Sequence, residues 1–460
     1  MALLRISLAL LLLVDLASRL PDFTIFYTDE GVLPRAFFFN QFWNPWRISV
    51  HLINGTFAGM SLLFILAGVF AFFLLVGWKT PWMAFLSWFF LSSLQLRNPM
   101  VTNSADHLLR YILFWALFLP LGERYSLDAL ANPHRPAKQV SGFASAAFMA
   151  QVCFVYWFAA LIKSYDAQWR SGEAIRYALS VGEFATPLGS WMLHFPGLLK
   201  FLTYYTLAFE ALAPFLLLLP VWTGRLRALM VLGFIVLQAG FGLFLDVGIF
   251  PLVSSVAMIP FLTGWFYDDL LQRWRGHIPA RILPAASVKK MPSRLSDLSG
   301  GLALFLIIYV FAWNVGAVYP RFAMPSALSW IGYVTHLDQR WGMFAPAGNY
   351  TGWFVFQGEQ KNGQKVDVFQ NASPDFERPS DFGKYYRNKF WKEYLSCLWN
   401  PAYAAHRPYL AWNLCQNWNR RHSGGEEVKR IDIYGVFETF YPIPRERQAH
   451  FIYSHACVKE

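Results

Sequence analysis

The chain has 460 residues, 56% hydrophobic and 15% charged, with 39 Lys and Arg against 28 Asp and Glu and a formal charge of +11. Soluble domains carry about 25% charged residues, so this balance excludes an ordinary water-soluble protein and points to a polytopic membrane protein. The basic excess fits cytoplasmic loops, which collect Lys and Arg, and no Lys/Arg run is dense enough to read as a nucleic-acid patch.

Apolar runs in chain order predict about nine spanning helices, each needing roughly 20 residues to cross the hydrocarbon. They are Leu3–Leu20, Val50–Trp78, Pro81–Leu96, Leu108–Leu121, Phe143–Ile162, Leu198–Trp222, Ala228–Leu245, Ile249–Trp265 and Gly301–Val318. The first run, with Arg5 ahead of it, resembles a secretory leader. Asp15 interrupts it and no clean small-x-small site follows, so it reads as an uncleaved span. The third and fourth runs are short, which suits tilted, half-inserted or enclosed helices.

Threading these runs sorts the charges. Arg5, Lys79, Arg124, Arg135, Lys138, Arg225, Arg227 and the segment Arg273–Arg294 fall on one side. Arg19, Arg35, Arg47, Arg97, Lys163, Arg170, Arg176 and Lys200 fall on the other, over a somewhat longer total loop length. The bias predicts a cytoplasmic N-terminus and an extracytoplasmic C-terminus. Three polar loops then share the outer face: Pro21–Arg47, Arg97–His107 and Lys163–Gly197.

Lys163 ends the fifth run and opens KSYDAQWRSGE, which gathers Asp166, Trp169, Arg170 and Glu173 at one boundary. A boundary lysine ordinarily snorkels to the headgroups or pairs locally, here with Asp166. Trp169 reads as an interfacial anchor. Glu210 lies inside a span, where a carboxylate needs a partner or a proton. Asp29 and Glu30 sit beside Gly31 and Pro34, as turn residues first and ligand contacts second. Asp106 and Arg110 are one helical turn apart, a spacing for a local ion pair, and Asp15 and Asp246 read as span-end or helix-contact groups. The pocket candidates are therefore Asp29, Glu30, Arg97, Asp106, Asp166, Glu173, Glu210 and Gln238, on the argument that boundary charges line functional cavities.

After the last span, residues 340–460 are polar but rich in Trp and Tyr. GWFVFQGEQKNGQKVDVF predicts two strands joined at Asn362-Gly363, and KRIDIYGVFETF and AHFIYSHACV two more. KYYRNKFWKEYLSC and PYLAWNLCQNWNRRH read as helices. Cys397, Cys415 and Cys457 lie in this tail, so one disulfide is possible with one thiol left over, and the partners stay open. Cys153, in mid-span, reads as inert core. No CxxC or HExxH motif occurs, and the histidines lack ligand spacing, so no metal site is expected.

Five segments in order carry a family resemblance: YTDEGVLPR (Tyr27–Arg35), FLPLGERYSLD (Phe118–Asp128), AALIKSYDAQWRSGEAIRYAL (Ala159–Leu179), YYTLAFEALAPFLLLLP (Tyr204–Pro220) and QRWGMFAPA (Gln339–Ala347). Together they resemble the HTTM (horizontally transferred transmembrane) family, the membrane domain shared with vitamin K-dependent gamma-carboxylase, over residues 1–345. The aromatic tail is similar to an extension of bacterial members.

The resemblance implies a lysine base at the outer face that deprotonates reduced vitamin K, the quinol then driving carboxylation of a glutamate. Lys163 is the residue that it points to. The carboxylase has adjacent lysines where this chain reads Lys163-Ser164; an ungapped register puts Ser164 in the catalytic position, and a shift of one residue puts Lys163 there. Gln238 stands where relatives often have histidine. The large outer domain that docks propeptides in the carboxylase has no counterpart of that size here.

The expected fold is an all-α polytopic membrane protein of about nine transmembrane helices with a small α+β extracytoplasmic C-terminal domain. Residues 1–320 form the membrane domain and 340–460 the outer one. The expected function is a membrane enzyme of carboxylase type in the bacterial plasma membrane, acting with a quinol on a peptide or lipid. The alternatives are a non-catalytic partner in maturation, export or immunity of a secreted peptide, and a quinone- or lipid-binding protein. The expected partners are the lipid bilayer and a secreted peptide or quinone.

Overall fold

The structure, a computed structural model, describes residues 1–131, 142–264, 266–267, 294–440 and 446–457. Among these, five helices are long and apolar enough to cross a membrane: Phe57–Val76, Phe143–Tyr165, Pro196–Leu218, Thr223–Phe244 and Ser299–Val318. Local chemistry sets their ends. Thr56 accepts a hydrogen bond from the Gly59 amide at one start, and Gly77 takes a left-handed φ of 73° at the end, a conformation that glycine adopts without a Cβ penalty. Pro196 occupies a first-turn position, where its missing N–H costs nothing. Burial covers 56% of the Phe143–Tyr165 apolar window and 17% of the Thr223–Phe244 one, so the former is the central helix and the latter faces lipid.

The other four expected spans are shorter or less apolar helices. Leu3–Leu20 folds as Ala2–Ser18, Pro81–Leu96 within Thr80–Arg97, and Leu108–Leu121 as Ser104–Ala116. Ile249–Trp265 becomes Phe250–Ala257 followed by the tight turn Ile259–Phe261. Ser104–Ala116 is buried almost throughout, and Thr80–Arg97 carries buried Ser87, Ser92, Ser93 and Gln95. Neighbouring helices enclose both, so neither needs a continuous apolar surface against lipid. Trp265, Arg135, Lys138 and residues 273–293 of the basic segment lie outside the described residues.

Two polar ends bracket the bundle. At one, Arg5 donates from Nη1 to the carbonyls of Leu74 and Leu75, at 2.9 and 2.7 Å, and Asp128 accepts from the Lys79 and Thr80 amides. At the other, the end of the first helix, the start of Ser104–Ala116 and the tail meet around Arg19.

The tail holds one antiparallel sheet in the order β2-β1-β3-β4, with β1 at Tyr350–Gln360, β2 at Lys365–Asp367, β3 at Val428–Thr439 and β4 at Arg447–Ala456. The β1–β2 turn carries Gly363 at φ 87°, as the Asn-Gly signal predicts. Trp353 of β1 faces Val436 of β3. The expected helix KYYRNKFWKEYLSC breaks into Phe382–Tyr385 and Lys389–Leu398, because Arg387 adopts φ 62° and the Asn388 side chain caps the second helix. The second predicted helix folds as Arg407–Asn419. Cys415 bonds Cys457 with Cα atoms 5.7 Å apart, tying that helix to the end of β4 and leaving Cys397 as the free thiol of the tail. The tail core is continuous with the first and second polar loops: Trp353, Phe356, Trp391 and Leu410 pack in one cluster with Phe26, Tyr27, Val32 and Met100.

Candidate functional site

Lys163 is buried in the last turn of Phe143–Tyr165, and its Nζ lies 2.5 Å from Glu210 Oε2 of the Pro196–Leu218 helix. The local pairing expected with Asp166 does not form. Asp166 instead caps the next short helix, accepting from the Gln168 and Trp169 amides at 2.9 and 3.2 Å. The snorkelling route is also closed, because Lys163 points inward. Trp169 is a buried residue and not an interfacial anchor: its ring lies 4.7 Å from the Lys163 ammonium, and its Nε1 donates to the Phe344 carbonyl at 2.6 Å. The neighbouring Ser164 is exposed and donates only to the Leu161 carbonyl of its own helix. Glu173 pairs with Arg176 on the surface.

Tyr156 lies seven residues before Lys163, hence on the same helix face. Its hydroxyl accepts a hydrogen bond from Gln238 Nε2 at 3.3 Å. One polar atom beside Tyr156 has no hydrogen-bond partner among the described residues: Oε1 of the buried Gln238. Three helices thus bring Lys163, Glu210, Tyr156 and Gln238 into one apolar interior. An ammonium in contact with a carboxylate there can move a proton between them, and the free Gln238 Oε1 can receive a hydroxyl donor.

The first two loops build a different arrangement. Asp29 accepts from the backbone amide and Nε of Arg35, at 2.9 and 2.8 Å, and Arg97 reaches it at 3.3 Å. Gly55 leaves room for that carboxylate, since a Cβ there would sit 2.1 Å from Asp29 Oδ2. Glu30 is exposed, and its carbonyl accepts from Asn413 Nδ2 of the tail. Asp106 does not pair with Arg110. Its carboxylate bonds Arg19 and caps its own helix through the Asn103 amide, while Arg110 donates to Gln95 Oε1 at 3.0 Å. Arg19 wins because it offers a second helix's charge inside the same buried layer, where it also holds Asp15 at 2.8 Å and the Tyr27 hydroxyl at 2.7 Å.

The tail completes this layer in ways that residue spacing does not reveal. Lys389 reaches Asp15 at 3.5 Å, and Lys392 donates to the Asp246 carbonyl at 2.7 Å and to its carboxylate at 2.9 Å. Burial pushes the Glu183 and Glu393 carboxyls up to about 7. Gln339 and Trp341, from the QRWGMFAPA segment, join Gln151 and Trp115 in one buried hydrogen-bond chain. An i,i+4 Asp15–Arg19 pair at the end of an apolar run was the available signal for the first of these contacts. The cross-chain partners gave none. Among the described residues, no group of three His, Cys, Asp or Glu is placed to hold a metal ion.

Residues 1–265 match the family model of the HTTM domain. No curated protein and no solved structure matches the chain.

Proposed function

The chain belongs to the HTTM domain family and is an integral membrane protein, and we propose that it is a carboxylase-related enzyme in which Lys163 is the base, acting with a reduced quinone on a peptide or lipid substrate. The observation that carries this reading is the Lys163–Glu210 contact, buried between two helices. A buried ion pair is seldom worth its desolvation in stability alone, so its retention favours a task. The same burial favours Lys163 over the exposed Ser164 as the residue that meets a substrate inside the bundle.

The residues fit a quinol: the unpartnered Gln238 Oε1 is an acceptor for a phenolic hydroxyl, and the surrounding helices are apolar. When bound, a reduced quinone supplies an acidic hydroxyl and the electrons for its reaction with oxygen. Glu210 holds a proton released from Nζ, leaving the Lys163 amine free to accept another. Trp169 covers the ammonium and excludes water from that side. Tyr156 and Gln238 fix the donor and acceptor directions beside the pair.

We further propose nine membrane segments in a bacterial plasma membrane, the four short ones enclosed by the five long ones, with residues 1–320 as the membrane domain and 340–460 as the outer domain. The N-terminus is cytoplasmic and the C-terminus extracytoplasmic. The Cys415–Cys457 bridge supports that side for the tail, since such bonds persist in oxidising compartments.

The test uses the full chain in lipid nanodiscs with reduced vitamin K or menaquinol, following quinol-dependent oxygen uptake. Lys163→Ala is expected to lower the rate by about 10²–10⁴-fold, the usual worth of a positioned base, with insertion retained and the melting temperature lowered because Glu210 loses its buried partner. An unchanged rate in a normally inserted variant refutes the base. A non-catalytic role in maturation, export or immunity of a secreted peptide then takes its place.

A further inference from the structure

A groove of about 540 Å³ lies where the first helix ends, the Phe57–Val76 helix begins and the tail helix Arg407–Asn419 crosses over them. Its walls differ in chemistry. The lower wall is a stripe of Phe57, Ser61 and Ile65 at i, i+4 and i+8, roughly 12 Å long. Phe57 and Ile65 are 57% and 62% exposed, and Val69 and Phe72 continue the exposed apolar surface along the spanning helix. The upper wall is Asn413 and Asn417, one turn apart on the tail helix, with Arg420 and Arg421 in the turn that ends it. Asn413 is held by the Glu30 carbonyl, and Asn417 donates to Asn413 Oδ1 at 2.8 Å. Arg420 and Arg421 are exposed and form no ion pair among the described residues.

Two carboxylates line the same groove. Asp22 accepts from Asn388 Nδ2 and Trp391 Nε1 and lies beside the Arg387 guanidinium, which answers its charge. Glu30 is exposed at the rim. A basic residue at a helix C-terminus is ordinary, because it complements the dipole. Two exposed guanidinium groups and the exposed Glu30 carboxylate, beside an apolar stripe that runs into a spanning helix, match a ligand with both signs and a hydrocarbon chain.

We propose that this groove binds one zwitterionic phospholipid with a primary amine, from the leaflet on the tail's side. Arg420 and Arg421 take the phosphate, where guanidinium donors are strongest. Glu30 takes the ammonium, and one acyl chain lies on Phe57, Ser61 and Ile65. An anionic lipid leaves Glu30 facing its negative headgroup. A choline lipid has the charge but no N–H donor for it. The proposal is independent of the chemistry assigned to Lys163.

The experiment reconstitutes the full chain in vesicles of equal phosphatidylethanolamine, phosphatidylcholine and phosphatidylglycerol, re-extracts it in mild detergent and measures retained lipid by mass spectrometry. Phosphatidylethanolamine is expected to be enriched at least about tenfold over each of the others, the ratio that one added hydrogen bond to a charged group supplies. Glu30→Gln is expected to bring it down to the phosphatidylcholine level. Arg420→Gln with Arg421→Gln is expected to reduce retention of every class to that of loosely held lipid. Ser61→Trp fills the groove without altering a charge and is expected to abolish the enrichment, so the result does not hang on the arginine variant alone. Equal retention of the three classes, preference for phosphatidylglycerol, or a Ser61→Trp protein that behaves like the parent overturns the proposal.

Discussion

Two of the regions where the chain buries charge differ in how completely the charge is answered. Around Arg19, all three guanidinium nitrogens have acceptors from Asp15, Asp106 and Tyr27, and Lys389 of the tail adds a second cation. Around Lys163 there is one carboxylate, one aromatic face, and a nearby acceptor on Gln238 that nothing among the described residues satisfies. Both regions bear the desolvation of ions in an apolar interior. The first spends it on joining the tail to the bundle. The second leaves hydrogen-bonding capacity over, which is what a ligand uses.

The comparison breaks most directly at Arg19. Arg19→Ala leaves Asp15 and Asp106 close together without their shared cation, and is expected to cost about 3–5 kcal/mol of stability. Thermal unfolding of the detergent-solubilised chain measures it. A variant that melts like the parent means that the layer is not a lock.

A smaller effect follows from the tail-side carboxyls. Glu183 and Glu393 are raised from 4.5 to about 7 by burial, so the folded state holds their protons more tightly than the unfolded chain does. Their contribution is full below about pH 4.5 and is lost as pH rises through about 7. The tail is therefore expected to unfold at a lower temperature at pH 8 than at pH 5, and Glu183→Gln with Glu393→Gln is expected to flatten that difference. Tail unfolding followed by tryptophan fluorescence across this range reads it, and an opposite slope rejects the assignment.

The smallest change is expected at the other region. Replacing Lys163 by Met together with Glu210 by Leu removes both ions at once, so no charge is left unpaired. Stability is expected to shift by less than about 1 kcal/mol, or to rise. A loss as large as that of Arg19→Ala makes the Lys163 pair a structural bond like the first.

Much of this was legible in the residues. The apolar runs located all five long helices, because hydrophobic length is read directly from composition. The Asn362-Gly363 turn and the alternating aromatic segments located the sheet, because turn chemistry is local. Lys163 and Glu210 stood out singly as charges that an apolar run does not explain. Their pairing was not legible, because 47 positions separate them and nothing in spacing says which faces of two helices meet. The expected Lys163–Asp166 and Asp106–Arg110 contacts failed for one reason: sequence proximity offers a partner, but burial selects the one that also satisfies the interior.

By itself, then, the sequence determined that the chain enters a membrane, where its long helices run, and that its tail forms strands and helices. These follow from hydropathy, capping and turn propensity, which act over a few residues. Tertiary structure alone decided which charges are neighbours: Lys163 with Glu210, Arg19 with Asp106, Lys392 with Asp246, Cys415 with Cys457. Such contacts depend on how helix faces pack and where the tail docks. In a low-dielectric interior those choices are set by the need to pair every buried ion, and no local pattern records them.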